Sequence, residues 1–286
     1  MNGKPTVIST FAGCGGSSLG YKMAGFNELL VIEWDKNAVD NLKLNFNIPI
    51  WQRDISTVTG EEILKFLNIN KGELDVFDGS PPCQGFSTAK GIRNINDDRN
   101  DLSFEYIRLI NELQPKVFVM ENVSGMVKGK MKGKFIKIMK ELKKTGYNVK
   151  CKLMNSMYYD VPQSRERLIF IGSKNKIPTF PEPNNNLINV SDVCKNIVQQ
   201  NRGQFDKEWI TAHRPCYTIT KTASLLFMEK DGTERKPTID ELKILSSFPQ
   251  DFILTGSFNE QWARIGNAVM PKFMYHIAKN IKENLL

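Results

Sequence analysis

The chain holds only two histidines, His213 and His276, and its five cysteines (14, 83, 151, 194 and 216) form no Cys-x-x-Cys pair. Neither set has metal-ligand spacing, so a His/Cys metal site is not expected. An odd, scattered cysteine count also argues against a disulfide framework and fits reduced thiols in a cytosol. No apolar stretch approaches the ~20 residues that cross a bilayer. Met1–Thr10 lacks the charged and apolar regions of a signal peptide. The expected location is cytoplasmic, with no membrane partner. Internal repeats are absent. Acids are in deficit: 31 Asp and Glu face 39 Lys and Arg, a formal charge of +8 and a pI of about 9.1. That balance points to an anionic partner, most simply nucleic acid, but needs a motif beside it. At 41% hydrophobic and 24% charged, the 286 residues have the make-up of one large domain, or a large one with a small companion.

What is present is an alternation. Val7–Ser9, Leu29–Ile32, Leu74–Phe77, Val117–Met120 and Leu168–Ile171 are short apolar runs. Helix-like stretches separate them, such as Phe135, Ile138, Met139 and Leu142 at helical spacing. The order predicts an α/β fold, a doubly wound and mostly parallel sheet with helices on both faces. The pattern stops at Lys174. Residues 176–186 carry three prolines and three consecutive asparagines and read as a linker. Residues 187–257 are irregular, with short strands expected at Tyr217–Thr220 and Leu225–Met228, and read as a small second lobe. Residues 258–286 end in an amphipathic helix after the Gly266-Asn267 turn. They are expected to return to the first lobe, residues 1–175.

Two loops carry chemistry. Phe11-Ala-Gly-Cys-Gly-Gly-Ser-Ser-Leu-Gly20 follows the first strand and opens a helix. Glycines 13, 15 and 16 let a backbone approach a ligand closely, and the helix start favours a negative group. Glu33, at the end of the second strand, can accept bonds from ribose hydroxyls. The loop suits NAD as well as S-adenosylmethionine. Ser18 in place of a third fingerprint glycine, the flat face of Trp34 and the acceptor Asp54 favour the latter. The ordinary alternatives are a core aromatic for Trp34 and a turn or helix cap for Asp54. The second loop, Gly79-Ser-Pro-Pro-Cys-Gln-Gly-Phe-Ser87, sets Cys83 beyond a strand end behind two prolines. Strand carboxyl ends are where open α/β sheets bind ligands. Cys83 is either a held nucleophile or a buried structural cysteine in a turn.

With these pieces together the chain resembles the cytosine-5 DNA methyltransferases, over about Thr6–Ile177 and Pro237–Ile281 and more weakly at 213–220. Phe11–Gly20 looks like the cofactor loop, Glu33-Trp34 and Asp54-Ile55 like the ribose and adenine contacts, and Pro81-Pro82-Cys83-Gln84 like the catalytic loop. Asp98–Leu102 leads into a helix of the expected kind. Glu121-Asn122-Val123, Gln163-Ser-Arg165-Glu-Arg167 and Gly266-Asn267-Ala268-Val269 look like the catalytic glutamate, paired-arginine and closing cofactor motifs. Met270 stands where a proline is common. The span between Gly172 and Gly266 is short for a family whose target-recognition domain is often larger.

The resemblance implies S-adenosyl-L-methionine as cofactor, S-adenosyl-L-homocysteine as product and duplex DNA as substrate. A monomer bound to the nucleoid is expected, with a cognate restriction endonuclease as a candidate partner. It implies cofactor contacts from Phe11, Ala12, Gly13, Gly15, Gly16, Leu19, Glu33, Trp34, Asp54, Ile55, Pro82, Leu102, Asn267 and Ala268. Catalytic roles fall to Cys83, Gln84, Glu121, Arg165 and Arg167. Cys83 adds to carbon 6 of a flipped-out cytosine, and Glu121 serves ring nitrogen 3. Arg165 is expected to bond the base carbonyl and favour the thiolate; Arg167 is expected to be structural or to touch a phosphate. Lys128–Lys152 holds ten lysines and a single acid, Glu141. Lysines 128, 130, 132 and 134 read as a glycine-broken loop on phosphates, and lysines 137–144 as a solvated helix face. Ser87, Arg202, Gln204 and Lys221 are further candidates for DNA contacts. A tRNA cytosine-5 methyltransferase shares the fold but usually carries a Cys-Phe-Thr tripeptide, absent here. A non-catalytic relative usually loses the thiol or the glutamate. A dehydrogenase explains neither Pro-Pro-Cys-Gln nor Glu-Asn-Val.

Overall fold

A computed structural model describes residues 3–82, 102–127, 131–201 and 208–286. Its strands are β1 (Thr6–Thr10), β2 (Asn27–Glu33), β3 (Ile50–Gln52), β4 (Val76–Gly79), β5 (Val117–Val123), β6 (Asn148–Asn155), β7 (Glu166–Ser173), β8 (Ile197–Asn201), β9 (Trp209–Thr211), β10 (Phe227–Glu229) and β11 (Glu234–Arg235). Its helices are α1 (Gly16–Met23), α2 (Lys36–Asn45), α3 (Gly60–Leu67), α4 (Leu102–Leu113), α5 (Lys132–Lys144), α6 (Val190–Val193), α7 (Ile239–Leu245), α8 (Phe258–Asn267) and α9 (Pro271–Asn284). The first seven strands form one sheet in the order β3-β2-β1-β4-β5-β7-β6, and the last four a second in the order β11-β10-β8-β9.

Side chains alternate across a strand, and the core follows that rule. Val7 of β1, Val117 and Val119 of β5, and Ile169 and Ile171 of β7 face one side, against Leu19 and Tyr21 of α1 and Phe273, Met274, Ile277 and Ile281 of α9. Ile8, Phe118, Met120, Leu168 and Phe170 face the other, against α3, α4 and α5 through Ile63, Tyr106, Ile110, Ile138 and Leu142. Burial on both faces is why these strands read as continuous apolar runs.

The pairing is parallel from β3 to β5, and β7 then runs antiparallel to both β5 and β6. Strand β6 was not expected. Its Asn-Val-Lys-Cys-Lys-Leu-Met-Asn puts lysines at exposed positions, as an edge strand does, and so hides in a lysine-rich stretch. Lys132 and Lys134 lie in the first turn of α5, not in a loop, because Gly133 is tolerated there. Tyr217–Thr220 is no strand. It is an extended strap beside residues 162–164, through Ser164 N–H to the Cys216 carbonyl (2.7 Å) and Cys216 N–H to the Pro162 carbonyl (2.9 Å). The small lobe has its own core of Val190, Ile197, Phe227, Leu242 and Leu245, which Trp262 and Ile265 of α8 complete. The chain already meets the first lobe before α8, where Phe248 and Phe252 join the core of α1 and α9. Met270 caps α9 with φ −70°, the angle a proline would impose.

Candidate active site at the carboxyl edge of the sheet

Register fixes where the strand ends lie. Thr10 pairs with Ile32 of β2 and with Gly79 of β4, and Gly79 pairs with Met120 of β5. Phe11, Glu33, Ser80 and Glu121 therefore emerge along one edge. The glycine loop turns there: Phe11 (φ 54°), Gly13 (φ 55°) and Gly15 (φ 97°) are left-handed, and Gly15 caps α1. Glu33 organises this corner. Its Oε2 accepts from the Gly13 amide (2.7 Å) and its Oε1 from the amides of Trp34 (2.9 Å) and Asp35 (3.0 Å). Burial pushes its carboxyl above the ordinary range, against the pull of those three amides.

The expected glycines divide into two kinds. A Cβ on Gly13 would meet no described residue within 4 Å. On Gly15 it would strike the Phe46 ring, and on Gly16 the Val269 carbonyl. Those two admit neighbouring protein, and Gly16 is how Asn267-Ala268-Val269 comes to lie against the loop. Leu19 turns into the core, its amide bound to the Gly15 carbonyl (3.0 Å). Ile55 is likewise buried. Both side chains are buried beneath the loop and the second strand end. Trp34 is no core aromatic, with 69% of its surface exposed. Asp54 is exposed and does cap a short helical turn, its Oδ1 accepting from Ser56 N–H (3.0 Å). Arg108, which no local motif marks, steadies that turn by donating to the Val58 carbonyl (2.8 Å) and the Ile55 carbonyl (3.3 Å).

At the other end of the edge, β5 delivers Glu121 and Asn122. Asn122 is buried and donates to the Pro81 carbonyl (3.0 Å), which ties the Pro-Pro loop to the glutamate strand. Pro81 is buried and Pro82 exposed; Cys83, Gln84, Ser87, Asp98, Lys128, Lys130, Arg202 and Gln204 lie outside the described residues. Val123 pairs with Arg167 of β7, so Arg167 is a diagonal neighbour of Glu121 on the same face. Its Nε meets Glu121 Oε1 at 2.6 Å, both side chains largely buried. Arg165 is differently employed. It is 4% exposed and donates to the Ile219 carbonyl (2.9 Å) and the Gly266 carbonyl (2.9 Å). Burial pushes its guanidinium down to about 9. Arg167 thus pairs directly with the glutamate, while Arg165, which also feels the Glu121 charge, ties the strap and α8 to β7.

Gln163, at the head of the paired-arginine motif, joins the same tie. Its Nε2 donates to Ser246 Oγ (3.1 Å) and its Oε1 accepts from the Ile219 amide (3.1 Å). Trp262 Nε1 donates to the Thr220 carbonyl (2.9 Å). Lys221 follows on this held strap and is exposed. Leu102 begins α4, half-buried against the second face of the sheet. Asn267 ends α8 exposed, with Ala268 buried beside it.

The family model for C-5 cytosine-specific DNA methylase matches residues 5–229 and 218–283. The chain belongs to that family. This methylase is 33% identical over 324 residues to the Type II methyltransferase M1.HphI of Haemophilus parahaemolyticus, covering 96% of this chain and 86% of that one. It is 28% identical over 333 residues to the Type II methyltransferase M.FnuDI of Fusobacterium nucleatum, covering 98% and 94%. Among solved structures, a protein encoded within an E. coli prophage superposes with a TM-score of 0.78 at 23% identity, covering 98% and 99%. That likeness speaks for the fold. The methylase is a DNA cytosine-5-methyltransferase dependent on S-adenosyl-L-methionine, and its own wall fits that group. Glu33 Oε2 retains acceptor capacity for a ribose hydroxyl, Trp34 offers an exposed aromatic face, and no described residue fills the space over Gly13. Among the described residues no helix is long and apolar enough to cross a membrane, and no His/Cys/Asp/Glu group could hold a metal.

Proposed function

We propose that this methylase modifies carbon 5 of a flipped-out cytosine in a specific duplex sequence through a covalent bond to Cys83. When bound, S-adenosyl-L-methionine supplies an electrophilic methyl group. Phe11, Ala12, Gly13, Glu33, Trp34, Asp54, Asn267 and Ala268 hold it, with Pro82 and Leu102 at its reactive end. Cys83, as thiolate, forms a bond to carbon 6 and makes carbon 5 nucleophilic. Glu121 shares a proton with ring nitrogen 3, where charge arrives, and accepts from the exocyclic amine. Arg167 holds that carboxyl in place and bonds the base carbonyl. Once carbon 5 carries the methyl group, with S-adenosyl-L-homocysteine as the leaving group, its proton leaves to water and the bond between sulfur and carbon 6 breaks.

The observation that carries this reading is the Glu121–Arg167 pair (2.6 Å), one residue from the Asn122 bond that fastens the Cys83 loop. Residues 187–257 set the sequence methylated, and Lys128, Lys130, Arg202, Lys221 and Ser87 touch DNA. The Type II names of the relatives favour a companion restriction endonuclease, and the enzyme is read as a monomer that works on the nucleoid.

The test is duplex DNA with 5-fluorocytosine at the target. Fluorine cannot leave as a proton, so the enzyme should remain attached through the Cys83 peptide after denaturation, only with cofactor present. Cys83→Ser should give no adduct and still bind cofactor. Full methylation of normal DNA without trapping would refute the thiolate step. Trapping on fluorinated tRNA alone would move the substrate to RNA.

A further inference from the structure

One arginine outside the catalytic corner joins three parts of the cofactor wall, through its guanidinium and its backbone carbonyl. Arg264 lies on α8, shortly before Asn267-Ala268. Its Nη1 meets Asp35 Oδ1 at 3.1 Å and its Nη2 meets Asp35 Oδ2 at 3.2 Å. This is a two-pronged pair between residues 229 positions apart. Its own carbonyl accepts the Cys14 thiol of the glycine loop (3.6 Å). Asp35 follows Trp34, and its amide is one of the three on Glu33 (3.0 Å). Its Oδ1 also caps α2 through Ala38 N–H (3.0 Å).

The sheet does not hold this corner by itself. The last ladder pair of β2 with β3 is Glu33 with Gln52. Trp34 and Asp35 lie past it, and Trp34 presents its ring to open space. Helix α2 beyond them is docked separately. Asn45 exchanges bonds with Ile253, Nδ2 to carbonyl and amide to Oδ1, both at 2.8 Å, and Asn41 Oδ1 accepts from Thr255 N–H (2.8 Å). Removing Arg264 thus leaves the sheet and α2 in place, keeps the backbone bonds to Glu33 and the Asp35 cap, and loosens only the side of the Trp34-Asp35 segment that faces α8.

We propose that Arg264 is a positioning residue for S-adenosylmethionine: through its pair with Asp35 it sets the Trp34 ring and the Glu33 carboxylate on the cofactor wall. The proposal rests on reading Glu33 and Trp34 as that wall. A forked guanidinium–carboxylate pair fixes orientation as well as distance, and Arg264 is partly shielded, with 19% of its side chain exposed.

The experiment measures S-adenosylhomocysteine affinity by calorimetry, with kcat and both KM values, in Arg264→Ala, Arg264→Lys, Asp35→Asn, the double variant Asp35→Asn/Arg264→Ala and Trp34→Ala. Asp35→Asn keeps a cap for α2 and decides the matter should Arg264→Ala not fold. Arg264→Ala and Asp35→Asn should each weaken cofactor binding about tenfold, equal to ~1.4 kcal/mol. KM for cofactor should rise in parallel, with kcat and KM for DNA within about twofold. The double variant should be no worse than either single one, and Arg264→Lys should recover part of the loss. Additive losses, wild-type affinity in both single variants, or an equal fall in DNA and cofactor parameters would overturn the proposal. Unchanged affinity in Trp34→Ala would instead overturn the reading of the wall itself, whatever Arg264 does.

Discussion

Adding one methyl group to either of two glycines separates packing from ligand contact in the cofactor loop. In Gly16→Ala the new Cβ would stand closer than 3.0 Å to the Val269 carbonyl oxygen, a separation real Cβ atoms do not adopt. That oxygen belongs to backbone leading into α9, which is itself docked on α1 where Gly20 meets Met274. The segment must shift as a piece. Overpacking of this kind costs about 1–3 kcal/mol, and the better helix propensity of alanine returns up to ~1 kcal/mol. A net loss of about 1–2 kcal/mol should lower the thermal midpoint by roughly 2–8 °C. In Gly13→Ala no described residue lies within 4 Å of the new Cβ, and the penalty is the left-handed φ of 55°. That costs about 1–2 kcal/mol, offset by roughly 0.4–1 kcal/mol from the stiffer unfolded chain. The stability change should therefore be the smaller of the two. The methyl, however, enters the space where the cofactor is read to lie, so affinity should fall more in Gly13→Ala. Thermal denaturation and cofactor calorimetry on both variants give the comparison. A Gly16→Ala protein with an unaltered midpoint and the weaker cofactor binding would show that the two glycines have been assigned the wrong way round.

The arginines and one half-buried acid supply further tests. Arg167→Ala leaves Glu121 without its partner, and breaking a buried pair destabilises by about 3–5 kcal/mol; kcat should fall at least about 100-fold with cofactor binding retained. Arg165→Met keeps the shape but leaves the Ile219 and Gly266 carbonyls unpaired, so it should raise KM for DNA and speed proteolysis of the small lobe more than it lowers kcat. A larger kcat loss in Arg165→Met than in Arg167→Ala would restore the division expected from the sequence. Burial pushes Glu28 from 4.5 up to about 7, against bonds from Ser9 and Ser18. The folded protein then keeps a proton that the unfolded chain releases near pH 4.5. Its contribution to stability is full below that pH and is lost as pH rises through 7. Midpoints taken between pH 5 and pH 8 should fall less in Glu28→Gln than in the unaltered protein, and parallel curves would count against the assignment.

Much of the fold was legible in the amino-acid sequence. The apolar runs at Val7, Leu29, Leu74, Val117 and Leu168 announced a parallel sheet because strands buried on both faces leave no room for polar alternation. The edge strand β6 escaped, since its lysines are the signature of solvent and not of a core. Phe11–Gly20, Pro81–Gln84 and Glu121-Asn122 could be set at strand ends because each directly follows an apolar run. Their order along the chain carried the family, and the match to the C-5 cytosine-specific DNA methylase model bears that out.

What lay beyond the sequence was the partner of each polar group. Gln163, Arg165 and Arg167 stand within one motif, yet Arg167 meets Glu121 across a strand pair while Arg165 reaches Ile219 and Gly266. Glycines 13, 15 and 16 look alike as letters, and only the neighbours at Phe46 and Val269 tell them apart. Arg264 and Asp35 carry no local sign of each other. Local sequence determined which groups emerge at the carboxyl edge, because strand and turn propensities act over a few residues. The packing of α8, α9 and the strap against that edge decided what each group holds, because hydrogen bonds and ion pairs depend on distance in space and not along the chain.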